Sequence, residues 1–207
     1  MGNFWHVGCG AAFGAKSTWS QVTTDVDKKY MLAHRISDNI TLRLLQAHHA
    51  KILFDLVDSN RDHLRAWMPW LDKTLSEKDT AGFISGMLSS FASTGAFACG
   101  IWHRERLCGV VGYNRIESEN RIGYIGYWLA KEAEGKGIMT DCCRALIKHG
   151  FQEYGLNRIV ITVATNNIKS QAIPDRLGFS KEGVERDAEW LYDHYVDHTV
   201  NALLANK

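Results

Sequence analysis

No apolar run in this chain approaches the roughly 18 residues of a membrane-spanning helix, so no membrane partner is expected. An excess of one charge sign is also lacking: 24 Lys and Arg stand against 23 Asp and Glu, a formal net of +1. That balance provides no broad basic field for nucleic acid or an acidic bilayer, although a local basic patch remains compatible with it. Cysteine is sparse and odd in number, five in all, with Cys142 and Cys143 adjacent. Such a set does not form a disulfide framework, and the reduced thiols of a cytoplasmic protein are the simpler reading. There is no Cys-x-x-Cys and no paired Cys/His spacing, so no metal is expected. The first residues lack the basic start and apolar block of a secretory signal. Repeats and low-complexity linkers are missing too.

What is present fits one domain. The 207 residues are 45% hydrophobic and 23% charged, which suffices for a sizeable core. Residues 1–30 stand apart, because Gly2, Trp5, Gly8, Gly10, Gly14, Ser17 and Trp19 follow no period ahead of Met31. This segment is expected to be a poorly ordered appendage, with the folded domain over residues 38–205.

Along that domain, residues 39–45 alternate as a strand, and 47–57 carry a helical apolar face of Ala50, Leu53, Phe54 and Val57. Residues 61–71 read as a short helix that ends before Pro69 and drops Trp67 into the core. An alternative makes Trp67, Met68 and Trp70 a wall of a substrate pocket. Ser76 is a natural N-cap for the next helix, which Gly95 ends. A three-strand meander is expected over 97–103, 107–116 and 122–129, followed by a helix over 138–153 and a strand over 157–163. A further helix opens at 166–172 and closes at Leu177-Gly-Phe179. A hairpin, 184–191 and 195–203, turns around Tyr192-Asp-His194. The expected fold is α+β, a mostly antiparallel mixed sheet flanked by helices, with one strand–helix–strand crossover giving a parallel pair.

The crossover begins at the most informative stretch, Gly126-Tyr-Trp-Leu129 through Gly135-Lys-Gly-Ile-Met-Thr140. An apolar strand enters a polar turn with two glycines and continues directly into an amphipathic helix. Gly135 and Gly137 lack a Cβ, so backbone can approach an anion closely. The free N–H groups of the helix start and its dipole favour negative charge. Lys136 adds a cation. This is not a P-loop, since no Gly-Lys-Ser/Thr follows, and Thr140 stands where a dinucleotide fingerprint would have its third glycine.

Three spaced motifs, Tyr127-Trp-Leu…Gly135-Lys-Gly-Ile-Met-Thr140, Asn167-x-x-Ser170 and Leu177-Gly-Phe-Ser-Lys-Glu-Gly183, together resemble a Gcn5-related N-acetyltransferase over about residues 38–205. Within that family, His63-Leu-Arg-Ala-Trp67, Tyr124-Ile-Gly-Tyr-Trp-Leu129 and Ala188-Glu-Trp190 are most similar to the ribosomal-protein serine/alanine N-acetyltransferase branch. The resemblance implies acetyl-CoA as co-substrate and direct transfer of acetyl to an amine. Its pantetheine arm would lie along the strand that ends at Trp128 and Leu129, and the Leu129 N–H would polarise the thioester carbonyl. Its pyrophosphate would sit on the N–H groups of Gly135, Lys136, Gly137, Ile138, Met139 and Thr140. Asn167 would order the next helix start and the ligand together. Ser170 matches the serine held to protonate the CoA thiolate, and Glu189 the carboxylate held to be the general base.

Each of these has a plainer reading. Asn167 or Ser170 is a natural helix cap, and Glu189 an ordinary solvent-facing strand carboxylate. Two departures from the family pattern matter. Glu134 stands where Gln or Arg is usual, and a carboxylate repels a pyrophosphate unless it points away. Pro174 stands where the family helix is uninterrupted, at a cost of about 3 kcal/mol in a helix interior. A helix beginning as late as Ile173 would make Pro174 harmless and leave Ser170 in a loop. The acceptor is expected to be a protein N-terminus, with a small amine (polyamine, amino sugar or antibiotic) as the alternative. A CoA-binding module that no longer catalyses is the reading from a different class. Edge strands and the tryptophan-rich segment 64–71 allow a homodimer.

Overall fold

The computed structural model describes residues 33–205, so the expected appendage over residues 1–30 lies outside the described residues. The described strands are β1 (Ala33–Arg35), β2 (Ile40–Leu44), β3 (Phe97–His103), β4 (Arg106–Glu117), β5 (Ile122–Leu129), β6 (Arg158–Ala164), β7 (Ser180–Leu191) and β8 (His194–Leu204). The described α-helices are α1 (Ala50–Ser59), α2 (Arg61–Arg65), α3 (Glu77–Thr94), α4 (Ile138–Gln152) and α5 (Ile168–Arg176). The strands form one sheet in the order β1-β2-β3-β4-β5-β6-β8-β7. Every pairing in it is antiparallel except β5 with β6, where the chain crosses over through α4. The expected α+β mixed sheet is therefore observed. β1 was not expected; it pairs with β2 through Ala33↔Arg43, His34↔Leu42 and Arg35↔Thr41.

Local chemistry sets the helix ends. Ser76 Oγ accepts from the Asp79 N–H, and Asp79 Oδ2 accepts from Ser76 Oγ and from the Leu75 N–H, so one carboxylate and one hydroxyl close the start of α3. Gly95 ends α3 at φ +79°, the left-handed conformation that glycine adopts without a Cβ penalty.

The helices cover the two faces of the sheet. α4 buries Ile138, Met139, Cys142, Cys143 and Leu146 against Val111, Tyr113, Ile125 and Ile161, and Ile173 of α5 joins the same cluster. On the opposite face Leu53 and Val57 of α1 and Ile84 and Met87 of α3 pack on Ala98, Trp102, Val110 and Trp128.

Tyr113 anchors the first face. Its ring is fully buried, packs edge-on against Phe97 at 5.8 Å, and its hydroxyl donates to the Leu146 carbonyl at 2.9 Å. Gly150 leaves room for that hydroxyl, since a Cβ there would lie 2.1 Å from Tyr113 Oη. Alanine for glycine inside a helix is normally stabilising by about 0.5–1 kcal/mol. Here the close contact should reverse the sign. Gly150→Ala is expected to destabilise by about 1–3 kcal/mol, the usual range for overpacking. A thermal melt checks it: the midpoint should fall by several degrees, whereas an unchanged or higher midpoint would show that Tyr113 moves aside freely.

Candidate active site

The parallel ladder between β5 and β6 contains only Ile122↔Arg158, Gly123↔Ile159 and Tyr124↔Val160. β5 runs on to Leu129 and β6 to Ala164, so beyond Tyr124 the two strands part. On the other edge of β5 the antiparallel ladder with β4 continues through Gly109↔Leu129, and the Ala130 N–H donates to the Cys108 carbonyl at 2.8 Å. Antiparallel pairs alternate between bonded and non-bonded. With Ala130/Cys108 bonded, the N–H and C=O of Leu129 point away from β4, into the gap between β5 and β6. That is the donor placement the resemblance requires of Leu129. The Trp128 side chain points to the opposite face, where its ring lies 6.2 Å from Trp70.

The turn after β5 leads into α4. Gly135 and Gly137 hold φ of +72° and +75°, and a Cβ at either would meet open space. Gly137 is the N-cap of α4, and no side chain caps this helix start. Ile138, Met139 and Thr140 have their side chains buried, so what they present outward is backbone N–H. These residues fit the diphosphate of CoA: they form an open, uncapped, fifteen-residue helix start behind two left-handed glycines. Lys136 does not reach over the turn, because its ammonium donates back to the Glu132 carbonyl. The cation found at the helix start is Arg176 of α5, with Nη1 3.5 Å from Thr140 Oγ1. It comes from 36 residues further along, and no local motif signals it.

Glu134 is held sideways. Its Oε2 lies 2.6 Å from Lys169 Nζ and its Oε1 3.3 Å from His63 Nε2. The carboxylate is thus paired with groups on α5 and α2, which answers the repulsion expected beside an anion.

α5 begins at Ile168, with Asn167 as its cap: Asn167 Oδ1 accepts from the Ser170 N–H at 3.1 Å. The cap is therefore Asn167, Ser170 lies in the first turn, and Pro174 sits inside the helix. The helix closes by a double bond pattern, with Phe179 N–H to the Pro174 carbonyl and Gly178 N–H to the Asp175 carbonyl, around Gly178 at φ +79°. Ser170 Oγ donates to Tyr127 Oη at 3.2 Å, and Tyr127 Oη donates to the Ser170 carbonyl at 3.3 Å. Enclosure of the Tyr127 hydroxyl raises its pKa well above that of a free phenol. In the sequence Tyr127 stands out only as part of a motif. Its place two residues before Leu129, hence on the same strand face, was the available signal.

Glu189 does not face solvent. It is 4% exposed; Oε2 lies 3.4 Å from Nε2 of the buried His198, and Oε1 has no hydrogen-bond partner among the described residues. It pairs with Val196 across the hairpin and shares a strand face with Leu191. Val196 and Leu191 line a cavity of about 700 Å³, together with Asp62, Arg65 and Trp67 of the α2 region, Ala164–Asn166 at the end of β6, and Tyr192–Asp197. The turn of the hairpin is fastened to the α2 region: Tyr192 Oη donates to the Met68 carbonyl at 2.5 Å, and the Arg65 guanidinium stacks 3.8 Å over the Tyr192 ring. Trp67 is therefore a wall of the cavity and not a core residue. Leu64 fills the core position of this five-residue helix.

A strand gap with backbone donors runs between an uncapped helix start on one face and, on the other, a cavity whose lining strand also carries a buried carboxylate, which is the layout that the resemblance to an acyl-CoA-dependent N-acyltransferase implies. Residues 39–180 match the model of the acetyltransferase (GNAT) domain family. The chain belongs to this family and is an N-acetyltransferase. It is 33% identical over 163 residues to the ribosomal-protein-serine acetyltransferase of Escherichia coli, covering 79% of this chain and 91% of that protein. Among solved structures it is similar to RimL, a ribosomal L7/L12 alpha-N-protein acetyltransferase in complex with coenzyme A, with a TM-score of 0.79, 28% identity, and coverage of 83% of this chain and 97% of that one. It is also similar to the microcin C7 self-immunity acetyltransferase MccE in complex with acetyl-CoA and AMP, with a TM-score of 0.78, 30% identity, and coverage of 82% and 94%.

The glycine turn supplies a direct test. In Gly137→Val a branched side chain enters open space at a left-handed φ, which costs about 1–2 kcal/mol of stability. It also occupies the space in front of the helix start. Calorimetric titration with CoA should show affinity falling by tenfold or more, an effect of about 1.4 kcal/mol or larger. Unchanged affinity in a folded variant would remove the anion site from this turn.

Proposed function

We propose that this chain acetylates the N-terminal α-amine of a protein, a ribosomal protein by the example of its relatives. In this reading residues 38–205 are the catalytic unit, Glu189 is the base and Ser170 the acid. The observation that carries it is Glu189. An unpaired carboxylate oxygen out of water is costly and is tolerated where something is to be bound or deprotonated. Glu189 meets that description, on the strand face that borders the cavity.

Acetyl-CoA, when bound, supplies the acetyl group already activated as a thioester. In this reading the Leu129 N–H donates to the carbonyl oxygen as charge builds there. Gly135 to Thr140 hold the diphosphate, with Arg176 beside them. Glu189 removes the proton that the α-ammonium must lose before its nitrogen can attack. Ser170 passes its Oγ–H proton to the departing sulfur, and water restores it. The acid and the base come from opposite faces of the sheet, and the gap between β5 and β6 is where those faces communicate.

The two departures from the family pattern are compatible with activity in this reading. Glu134 is neutralised by its neighbours, and Pro174 follows Ser170 without displacing it from the first turn. A small cationic amine is the second acceptor reading, favoured by one observation: Asp62, Asp193 and Asp197 all border the cavity. An acceptor panel separates the two. Peptides beginning with Ser or Ala should release CoA thiol faster than polyamines or aminoglycosides at equal concentration; the reverse order would assign the cavity to small amines.

The base is tested by Glu189→Gln, which keeps shape and removes basicity. At neutral pH kcat/KM should fall by roughly a hundredfold or more, within the span for loss of a general base. An α-amine has a pKa of about 7.7–8.0, so above that range the acceptor arrives deprotonated and the deficit should shrink. Near-wild-type rates across a pH–rate profile would make Glu189 only a strand residue.

A further inference from the structure

We propose that Tyr127 is the positioning residue for the acid, and that Pro174 creates the place where it docks. The proposal rests on the reading of Ser170 as the proton donor. In an uninterrupted helix the Ser170 carbonyl would accept the N–H of residue 174, four positions on. Pro174 has no N–H, and its ring crowds the carbonyl four residues back. That carbonyl needs a donor from elsewhere, since a backbone carbonyl left unpaired away from water costs as much as a lost hydrogen bond. The donor is the Tyr127 hydroxyl, reaching across from β5 at 3.3 Å.

A phenol that spends its single proton on the carbonyl still has its oxygen lone pairs. At rest the Ser170 hydroxyl donates to them at 3.2 Å, and rotation about its Cβ–Oγ bond turns that single proton to the departing sulfur while Oγ stays in place. Asn167 holds the Ser170 N–H at 3.1 Å. The residue is thus fixed at its nitrogen, its carbonyl and its side-chain oxygen, two of the three by Tyr127.

Four hydroxyls in the last two turns of α3 show what a helix commonly does with a hydroxyl in the absence of such a partner. Ser89, Ser90, Ser93 and Thr94 each donate to the carbonyl four residues back in their own helix. Ser170 Oγ instead bonds out of its helix, towards the strand whose end carries the Leu129 N–H. Tyr127 is unsuited to be the acid itself, because enclosure of its hydroxyl raises its pKa well above that of a free phenol. It keeps its proton and orients Ser170.

The test is a double-mutant cycle on an accepted peptide, with Tyr127→Phe, Ser170→Ala and the pair, each checked for a near-wild-type melting midpoint. Tyr127→Phe should lower kcat roughly tenfold, as misplacement of a reacting group does, while KM for acetyl-CoA stays within about twofold. In the Ser170→Ala background the same change should have no further effect on kcat. Pro174→Ala attacks the contact from the other side: it returns an N–H to the Ser170 carbonyl and should also lower kcat at unchanged KM. A wild-type kcat in both Tyr127→Phe and Pro174→Ala, with Ser170→Ala impaired, would overturn the proposal and leave Ser170 as the acid. Losses that multiply in the double variant would overturn it too, by showing that Tyr127 acts apart from Ser170. A wild-type kcat in Ser170→Ala would instead overturn the reading of Ser170 on which the proposal rests.

Discussion

Between Tyr124 and Leu129 the fifth strand has a ladder neighbour on one side only. Backbone donors and acceptors in the middle of a sheet are normally paired, and leaving them unpaired is a liability that proteins confine or cover. Here the chain opens the sheet in the one place where its direction changes from antiparallel to parallel. The crossover through α4 carries the next strand back beside β5 for three pairs and then lets it diverge. The open edge, the glycine turn at its end and the start of α4 are consecutive in the chain, so one continuous stretch supplies all three. What remains is to stock the two faces of the opening, and this falls to elements from far along the sequence: α5 on one side, the β7–β8 hairpin and the α2 region on the other.

Charge around the opening is handled by pairing across elements. Glu134 would be a poor neighbour for an anion, yet Lys169 of α5 and His63 of α2 hold both of its oxygens. The same contacts tie the turn to helices on both faces of the sheet, so the residue that looks least suitable in sequence also fixes the turn in space. On the cavity side the balance differs. Glu189 has one oxygen facing a buried histidine and one that is buried without a hydrogen-bond partner among the described residues, a stability cost of the kind usually found where function requires it.

Much of the fold could be read from the chain because periodicity is strong there. The bounds of β3 and β5 and the start of α4 coincide with the expected 97–103, 122–129 and 138. β1 was missed because three residues carry no period. Trp67 was misplaced because size argued for burial, while a five-residue helix has one buried position and Leu64 occupies it. The exposure of Glu189 could not be counted along its strand, since the register slips between Glu185 and Glu189 and Asp187 adopts a positive φ. Ser170 posed the opposite difficulty: its position depended on where α5 begins, and Asn167 as the cap settles that against the late start that Pro174 suggested. The Tyr127–Ser170 pair and the approach of Arg176 to Thr140 span 43 and 36 residues, and such contacts leave no local trace.

The separation of the two faces bears on how such a protein changes over generations. The cavity is lined by the α2 region, the end of β6 and the turn of the β7–β8 hairpin, while the anion turn belongs to the β5–α4 connection, and no lining residue is common to both. In the proposed reading, donor and acceptor recognition are therefore inherited as separable modules. Exchange of one hairpin turn and one short helix would redirect the enzyme to a new amine while the machinery for the thioester stayed as it was. A scaffold divided in this way is well suited to spread into a family whose members share a donor and differ in what they modify.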